Sequence, residues 1–556
     1  MATSLKLFPA KLRPGFPPDK YATPTPSLSD VPDSLLDLLA SQLACLGFAR
    51  RVAQVGAVMG RDFSSEILKA ATGEEMPRVE AAIDQLLAAG ILIRTRSAGE
   101  TRYCFRHALL RDAAYASIID TDRAELHYRV GSILVDCFPD LAADRPEIVA
   151  GHMRDGGHMG EAVPFWLDAG RKAARRYALA EAIADFRAAL DALALLEAGP
   201  GNNERELDVL LELGTTMREA EGYHAAGLKS IYERALSLAT GLGRSNARAA
   251  SIHGLWTVAA GCGQWRQADD LAYEFDGFIR SLGPNARLEA EGGRMFGAGA
   301  AFRGDFAKAL GHFQHVLTVY DPASHQQSFG YDPGAASAAY LSWVNWHMGN
   351  TEEGRRKADR AVEMADRLDQ PATLSLVLVW LLFHAVCEGD RTRIVAYNDR
   401  LQAVCSKQIC RFWQPFGKAC VEWASFHATR NPAHLDGLLQ HTRAFSELYL
   451  TSSLHIMAMD ICNELGRFEE GLAQARMAEA FIAQHDERIW EAEYWRLLGL
   501  LHARQGEDKT KARQCLERAL ATARGQQAVM LEDRAMASLQ ELFSRPTNAD
   551  LLQRAG

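Results

Sequence analysis

Histidine titrates nearest neutrality, so its placements are the first candidates for chemistry in this chain. His107 lies in Tyr103-Cys-Phe-Arg-His-Ala-Leu-Leu-Arg-Asp-Ala-Ala-Tyr115, where it and three other charged residues stand at the start of an apolar helical run. An imidazole there can cap the helix, pair with Asp112 or contact a ligand. His312 and His315, in "HFQH", fall one turn apart on a helix, but no third ligand follows at a metal-binding spacing, so no metal centre is expected. Cys405 and Cys410 belong to ten scattered cysteines without a Cys-x-x-Cys pair, and they read as reduced core thiols. Gly417-Lys418 is followed by Ala419 and lacks the upstream glycine, so the phosphate cradle G-x-x-x-x-G-K-[ST] does not occur. No G-x-S-x-G nucleophile elbow occurs either. The reading is that the chain has no catalytic residue and no cofactor.

Large rings cluster between Trp343 and Trp423. They either fill gaps between helices or line a concave groove for a peptide or small ligand. Trp343, Trp346, Trp380, Trp413 and Trp423 are the candidates for such a groove. The long polar stretch "SHQQSFGYDPG" (324–334) reads as a loop within the same region, with a tight turn at Asp332-Pro333-Gly334.

These residues must be held by a mostly helical frame. The 556 residues are 48% hydrophobic and 24% charged, which excludes a disordered or fibrous chain. A net charge of −9 gives no general attraction to nucleic acid or an anionic membrane. The most apolar run, Leu374–Cys387, spans fourteen residues. A membrane helix needs roughly 20, so a buried helix is expected instead. With no apolar signal region at the N-terminus, the expected location is cytoplasmic.

Residues 1–30 hold six prolines and read as a flexible leader. Residues 31–118 read as helices followed by a hairpin around Ser97–Glu100, the order of a winged helix. Residues 119–160 read as a helical connector and 546–556 as a tail. Across 161–545 a glycine recurs at 222, 263, 304, 349, 389, 466 and 506, a period of about 40 residues with one double step. Such a period marks helix–turn–helix units that stack into a superhelix, so the fold class is mainly all-α, a small winged helix followed by a tetratricopeptide-like α-solenoid.

The motifs "VPDSL", "MGRDF", "LLAAGIL", "YCFRHALLRDAAY", "LHYRV" and "AVPFWLDAGRKA" resemble the region after the nucleotide-binding domain in bacterial signal-transduction (STAND-type) regulatory ATPases. Many of those carry a class III adenylate or guanylate cyclase domain. "FGYDPGAASAAYLSWVNWHMGN" and "DERIWEAEYWRLLGLLHARQGE" resemble their tetratricopeptide portion, and the resemblance spans 31–543. It implies that His107 stands where a Met-His-Asp-like motif contacts bound ADP, although Ala108 replaces the motif's acid and Asp112 comes only later. The departure is the missing phosphate loop and the missing cyclase carboxylates.

The combined reading is a non-enzymatic scaffold or sensor that binds a protein or small ligand on a concave face and regulates a signalling partner, such as a nucleotide-binding or cyclase domain. The alternatives are a truncated or split member of that ATPase/cyclase family and a DNA-binding regulator. Against the last, Lys/Arg and Asp/Glu balance at ten each over 31–117, and the helix before the hairpin is acidic. No membrane partner is expected.

Overall fold

The computed structural model describes residues 42–97, 100–322, 329–407, 409–445, 448–505 and 509–543. The leader 1–30, the start of the helix expected from Val31, the hairpin tip, residues 324–328 of the long loop, Gly506 and the tail lie outside the described residues. The chain packs as two units, divided between Phe165 and Trp166.

In the first unit α1 (Phe48–Met59), β1 (Asp62–Ser64), α2 (Ser65–Thr72) and α3 (Met76–Ala88) precede the hairpin of β2 (Leu92–Ser97) and β3 (Glu100–Phe105), and α4 (Ala108–Ala116) follows. The sheet is antiparallel in the order β1-β3-β2. The sequence reading contains no strand at β1, because three residues are too few for a period-two pattern to show. That strand sets Phe63 against α1 at Gly56, where an added Cβ would lie 2.7 Å from the ring. α5 (Asp120–Cys137), α6 (Pro139–Asp144) and α7 (Pro146–Asp155) complete the unit, and α5 packs on α1 and α2. Residues 119–160, read above as a connector, are therefore part of this body.

Buried between α5 and α7, His127 Nδ1 lies 3.0 Å from His152 Nδ1, and Tyr115 Oη lies 2.8 Å from His127 Nε2. One proton per link completes this chain with both imidazoles neutral. Burial holds both rings below the usual histidine range, His152 at about 3, with the neighbouring His127 adding to the shift on His152.

The second unit is a run of helical hairpins that begins with α8 (Met159–Arg175), which crosses the division, and α9 (Leu179–Leu193). The hairpins α10 (Pro200–Glu221) with α11 (Leu228–Gly241), α12 (Ser245–Gly261) with α13 (Trp265–Leu282), and α14 (Ala286–Phe302) with α15 (Phe306–Val319) follow. Next come α16 (Pro333–His347) with α17 (Thr351–Leu368), and α18 (Pro371–Glu388) with α19 (Arg391–Cys405). The array continues through α20 (Gln414–Thr429) with α21 (Ala433–Ala444), and α22 (Thr451–Leu465) with α23 (Phe468–His485). It finishes with α24 (Glu491–Gln505), α25 (Lys509–Gly525) and α26 (Val529–Phe543). The periodic glycines 263, 304, 349, 389 and 466 occupy the turns inside hairpins with φ between 70° and 83°, where a Cβ is disfavoured. Between α20 and α21 Arg430 takes that place at φ 57°, which explains the double step in the glycine period.

Successive first helices pack on one another (α14 on α16, α16 on α18, α22 on α24), while successive second helices do not pack side by side. The array therefore coils with its first helices inside. Every residue of α16 is buried, and α18, although long and apolar enough to span a membrane, is enclosed on nearly all sides.

The coil is tight enough for its turns to touch. The carbonyls of Glu219, Gly261 and Phe302, at or near the ends of α10, α12 and α14, accept the backbone N–H groups of Cys410, Tyr449 and Arg488 at 2.8, 3.2 and 2.7 Å. Each donor lies 186 to 191 residues beyond its acceptor, between four and five repeats. The Arg534 side chain serves the Cys387 carbonyl of α18 in the same way, at 2.7 Å. Carbonyls that a helix end leaves without partners are thus satisfied by the next turn of the coil.

Two outcomes are expected. Gly261 meets the Tyr223 ring so closely that an added Cβ would lie 2.1 Å away, whereas nothing lies within 4 Å of a Cβ at Gly241. Gly261→Ala should cost about 1–3 kcal/mol in urea unfolding and Gly241→Ala almost nothing. For the histidine pair, the unfolded chain takes up protons below pH 6.5 while the folded rings stay neutral, so stability is lost as pH falls from 6.5 toward 3. Between pH 7 and pH 5 hydrogen exchange in α5 and α7 should report a loss of about 2 kcal/mol from His152, and His152→Leu should remove that pH dependence.

Candidate functional site

His107 stands at the N-cap of α4 with extended backbone (φ −132°, ψ 144°), and its exposed side chain makes no capping hydrogen bond. The expected pairing with Asp112 is not made, because Arg111 takes that carboxylate at 2.5 Å.

The aromatic groove requires a larger correction. Trp343, Trp380 and Trp413 are 0% exposed and Trp346 is 2% exposed. They fill the coil's interior, where Trp380 stacks on Tyr449 at 5.6 Å and Trp343 meets Phe383 edge-on at 5.5 Å. The reason is the tightness of the coil: once one turn rests on the next, rings on the first helices meet other rings and not solvent. Along α16 and most of α18 no open concave face is left.

Trp423 is the exception. It is partly exposed and forms one wall of a pocket of about 200 Å³ between the first helices of the last repeats. Val386 and Met457 supply apolar lining; Asp460, Glu493, Arg496 and Arg534 supply charge. The Trp423 indole N–H donates to Asp460 Oδ2 at 2.9 Å, and His427 Nε2 lies 2.8 Å from the same oxygen. Arg496 grips Glu493 through two bonds, Nε to Oε2 at 2.8 Å and Nη2 to Oε1 at 2.7 Å. Arg534 adds a bond to Glu493 at 3.4 Å and lies over the Trp346 ring, 5.1 Å from its centroid. Burial by itself would raise the Glu493 carboxyl, but the guanidinium groups of Arg496 and Arg534 outweigh it and hold the group at about 2.

Such an arrangement suits recognition. Guanidinium groups do not release protons near neutrality, and a carboxylate held at about 2 is a poor base. What remains is an indole wall beside fixed charges of both signs. Sequence reasoning missed Asp460, Glu493, Arg496 and Arg534; the available signal was a charge inside an apolar first helix, as in "LHIMAMDICNEL" and "EAEYWRLLGLL".

The other sequence candidates lie elsewhere. His312 and His315 border a wider cleft of about 510 Å³ on α13, α14 and α15, together with Asp276, Arg280 and Glu289. His312 stacks on Phe296, and burial lowers its pKa. Among the described residues no three His, Cys, Asp or Glu side chains form a group that could hold a metal ion. This cleft is larger than the Trp423 pocket, but it lies partly on second helices and holds less of the buried, paired charge that fixes geometry. Burial pushes the Cys405 thiol up to about 12 and Cys410 higher still, which suits core packing. Gly417 serves close packing inside α20, where a Cβ would lie 2.6 Å from Asn398 Oδ1.

No family model matches the chain. It is 24% identical over 521 residues to an uncharacterized protein of Rhizobium meliloti (strain 1021), covering 91% of this chain and 50% of that protein. The chain thus spans about half the length of the curated relative it matches. A Rap protein complexed with competence and sporulation factor is 12% identical over 69% of this chain and 99% of its own, at a TM-score of 0.37. A signal transduction ATPase with numerous domains and a tetratricopeptide repeat sensor, from Pyrococcus horikoshii, is 11% identical over 82% of this chain and 65% of its own, at 0.41. At these scores the likenesses add nothing to the helical-hairpin architecture given by the chain's own packing.

Glu493→Gln should cost about 2–3 kcal/mol in urea unfolding, since it leaves the partly buried Arg496 guanidinium without its counter-charge. In the unaltered chain the contribution of Glu493 is complete above pH 4.5 and is lost as pH falls from there toward 2, so the variant should show a flatter acid limb over that range.

Proposed function

We propose that the chain is a non-enzymatic, tetratricopeptide-type scaffold and sensor that holds a protein or small ligand in the Trp423 pocket and relays its occupancy to a signalling partner. The observation that carries this reading is the pocket itself: an indole wall beside the fixed charges of Asp460, Glu493, Arg496 and Arg534 on the inner helices, where most of the inner face is packed shut. Its lining comes from five consecutive first helices. A ligand that favours one spacing of those helices therefore shifts the population of coil states. The order of α1 to α3 and the three-stranded sheet in the first unit supports the winged-helix reading of 31–118. His107, exposed and without a capping bond, is available to a nucleotide held by another chain. The extra length of the Rhizobium meliloti relative fits an arrangement in which nucleotide chemistry resides in a further domain, fused or separate. The DNA-binding alternative has less behind it, since Arg94 and Arg102 of the hairpin pair with Asp84 at 3.8 Å and Asp62 at 2.9 Å.

The test is to isolate the partner with the full chain, then measure its binding by calorimetry to unaltered protein and to Trp423→Ala. Loss of a ring at the centre of the site should weaken binding about tenfold or more, with the circular dichroism spectrum unchanged. ATP turnover by the purified chain, or binding indifferent to Trp423, would overturn the reading.

A further inference from the structure

A second stretch of the inner face is covered by the chain itself. The connection from α15 to α16 is far longer than its counterparts, and its last described residues, Phe329-Gly330-Tyr331, lie against buried side chains of α10, α12 and α14. Arg218, 1% exposed, donates from Nη1 to the Phe329 carbonyl at 3.3 Å, and its guanidinium lies 4.8 Å from the Tyr331 ring centroid. The Phe329 N–H faces Glu291, and its ring lies 5.4 Å from His253 and 5.0 Å from the Arg287 guanidinium. Tyr331 Oη lies 2.9 Å from Tyr223 Oη.

Two features distinguish this from ordinary core packing. First, Arg218, His253, Glu291 and Arg294 are polar or charged and buried, with Arg294 bonded to both Glu291 and His253, although an apolar filling would be at least as stable. Second, Gly330 adopts φ 129°, and a Cβ there would lie 2.2 Å from Arg218 Nη2. The surface reads one residue as aromatic, the next as glycine and the third as tyrosine.

We propose that the inner face of α10, α12 and α14 is a peptide-binding groove for an aromatic–Gly–Tyr segment, and that Phe329–Tyr331 occupies it as an internal stand-in for a partner's peptide. This deepens the partner-binding reading, on which it rests, by adding a second surface and the chemistry of what it accepts. Exchange would register in the coil, because Tyr223 also meets Phe412 at 5.3 Å and Trp413 at 6.0 Å, rings carried by the following turn.

The test uses the full chain with Phe329→Ser and Tyr331→Ser, and a fluorescein-labelled peptide Gln-Ser-Phe-Gly-Tyr-Asp, followed by fluorescence anisotropy. The double variant should bind at least about tenfold more tightly than the unaltered chain, whose own segment competes. Arg218→Met added to the double variant, or alanine in place of the peptide's glycine, should abolish binding. A double variant with native circular dichroism that binds neither peptide, or both equally, overturns the proposal. If the double variant does not fold, hydrogen exchange on the unaltered chain decides: faster exchange at Gly330 and Tyr331 with millimolar peptide supports exchange of occupants, and unchanged rates refute it. The Trp423-dependent association, measured in parallel, reports on the broader reading separately.

Discussion

The second unit depends on one recurring interaction, a backbone N–H from a connecting loop donated to the carbonyl at the end of an inner helix nearly five repeats earlier. Glu219, Gly261 and Phe302 are served in this way by Cys410, Tyr449 and Arg488, and Cys387 is served similarly by the side chain of Arg534, 147 residues on. In an open solenoid each repeat touches only its neighbours, and stability is close to a sum of local terms. Here the ends of α10, α12, α14 and α18 each answer to a second, distant neighbour. The pitch of the coil is set by hydrogen-bond length and not by side-chain volume alone.

That constraint determines what the interior can contain. Turns in contact leave no open channel along α16 and α18, so the tryptophans there become filling. Polar groups that remain inside must be paired in place, as Glu493 is by Arg496 and Arg534, or Glu291 by Arg294. On the inner helices the pocket beside Trp423 remains, lined from α18 to α26. Trp423 is the one ring of the expected groove that still meets solvent.

Much of this frame was legible in the amino-acid order. A glycine at steps of about 40 residues reports a hairpin turn directly, because left-handed φ is a local demand that few other residues meet. The hairpin of β2 and β3 and the buried character of α18 were legible for similar reasons, since each follows from a pattern within about twenty residues. The missed features are non-local. Whether Trp346 faces a groove or a core depends on a turn of chain more than a hundred residues away, where Arg534 lies over its ring, and no periodicity carries that information. The partnership of Asp460 with Trp423 and His427 joins two helices in the same way, while Asp112 chose its adjacent Arg111 over His107 for lack of any feature the sequence pattern could rank.

The offset of 186 to 191 residues between carbonyl and cap also bears on the order of events during synthesis. A ribosome adds about 5–20 residues per second, so α10, α12 and α14 emerge and pair as hairpins about 10–40 s before the loops that cap them exist. During that interval the aromatic faces of the early repeats and the carbonyl ends of their helices are open to any other donor or apolar surface. The nascent first half of the array is thus a ready client for chaperones, and its closure is a late event timed by the length of the chain.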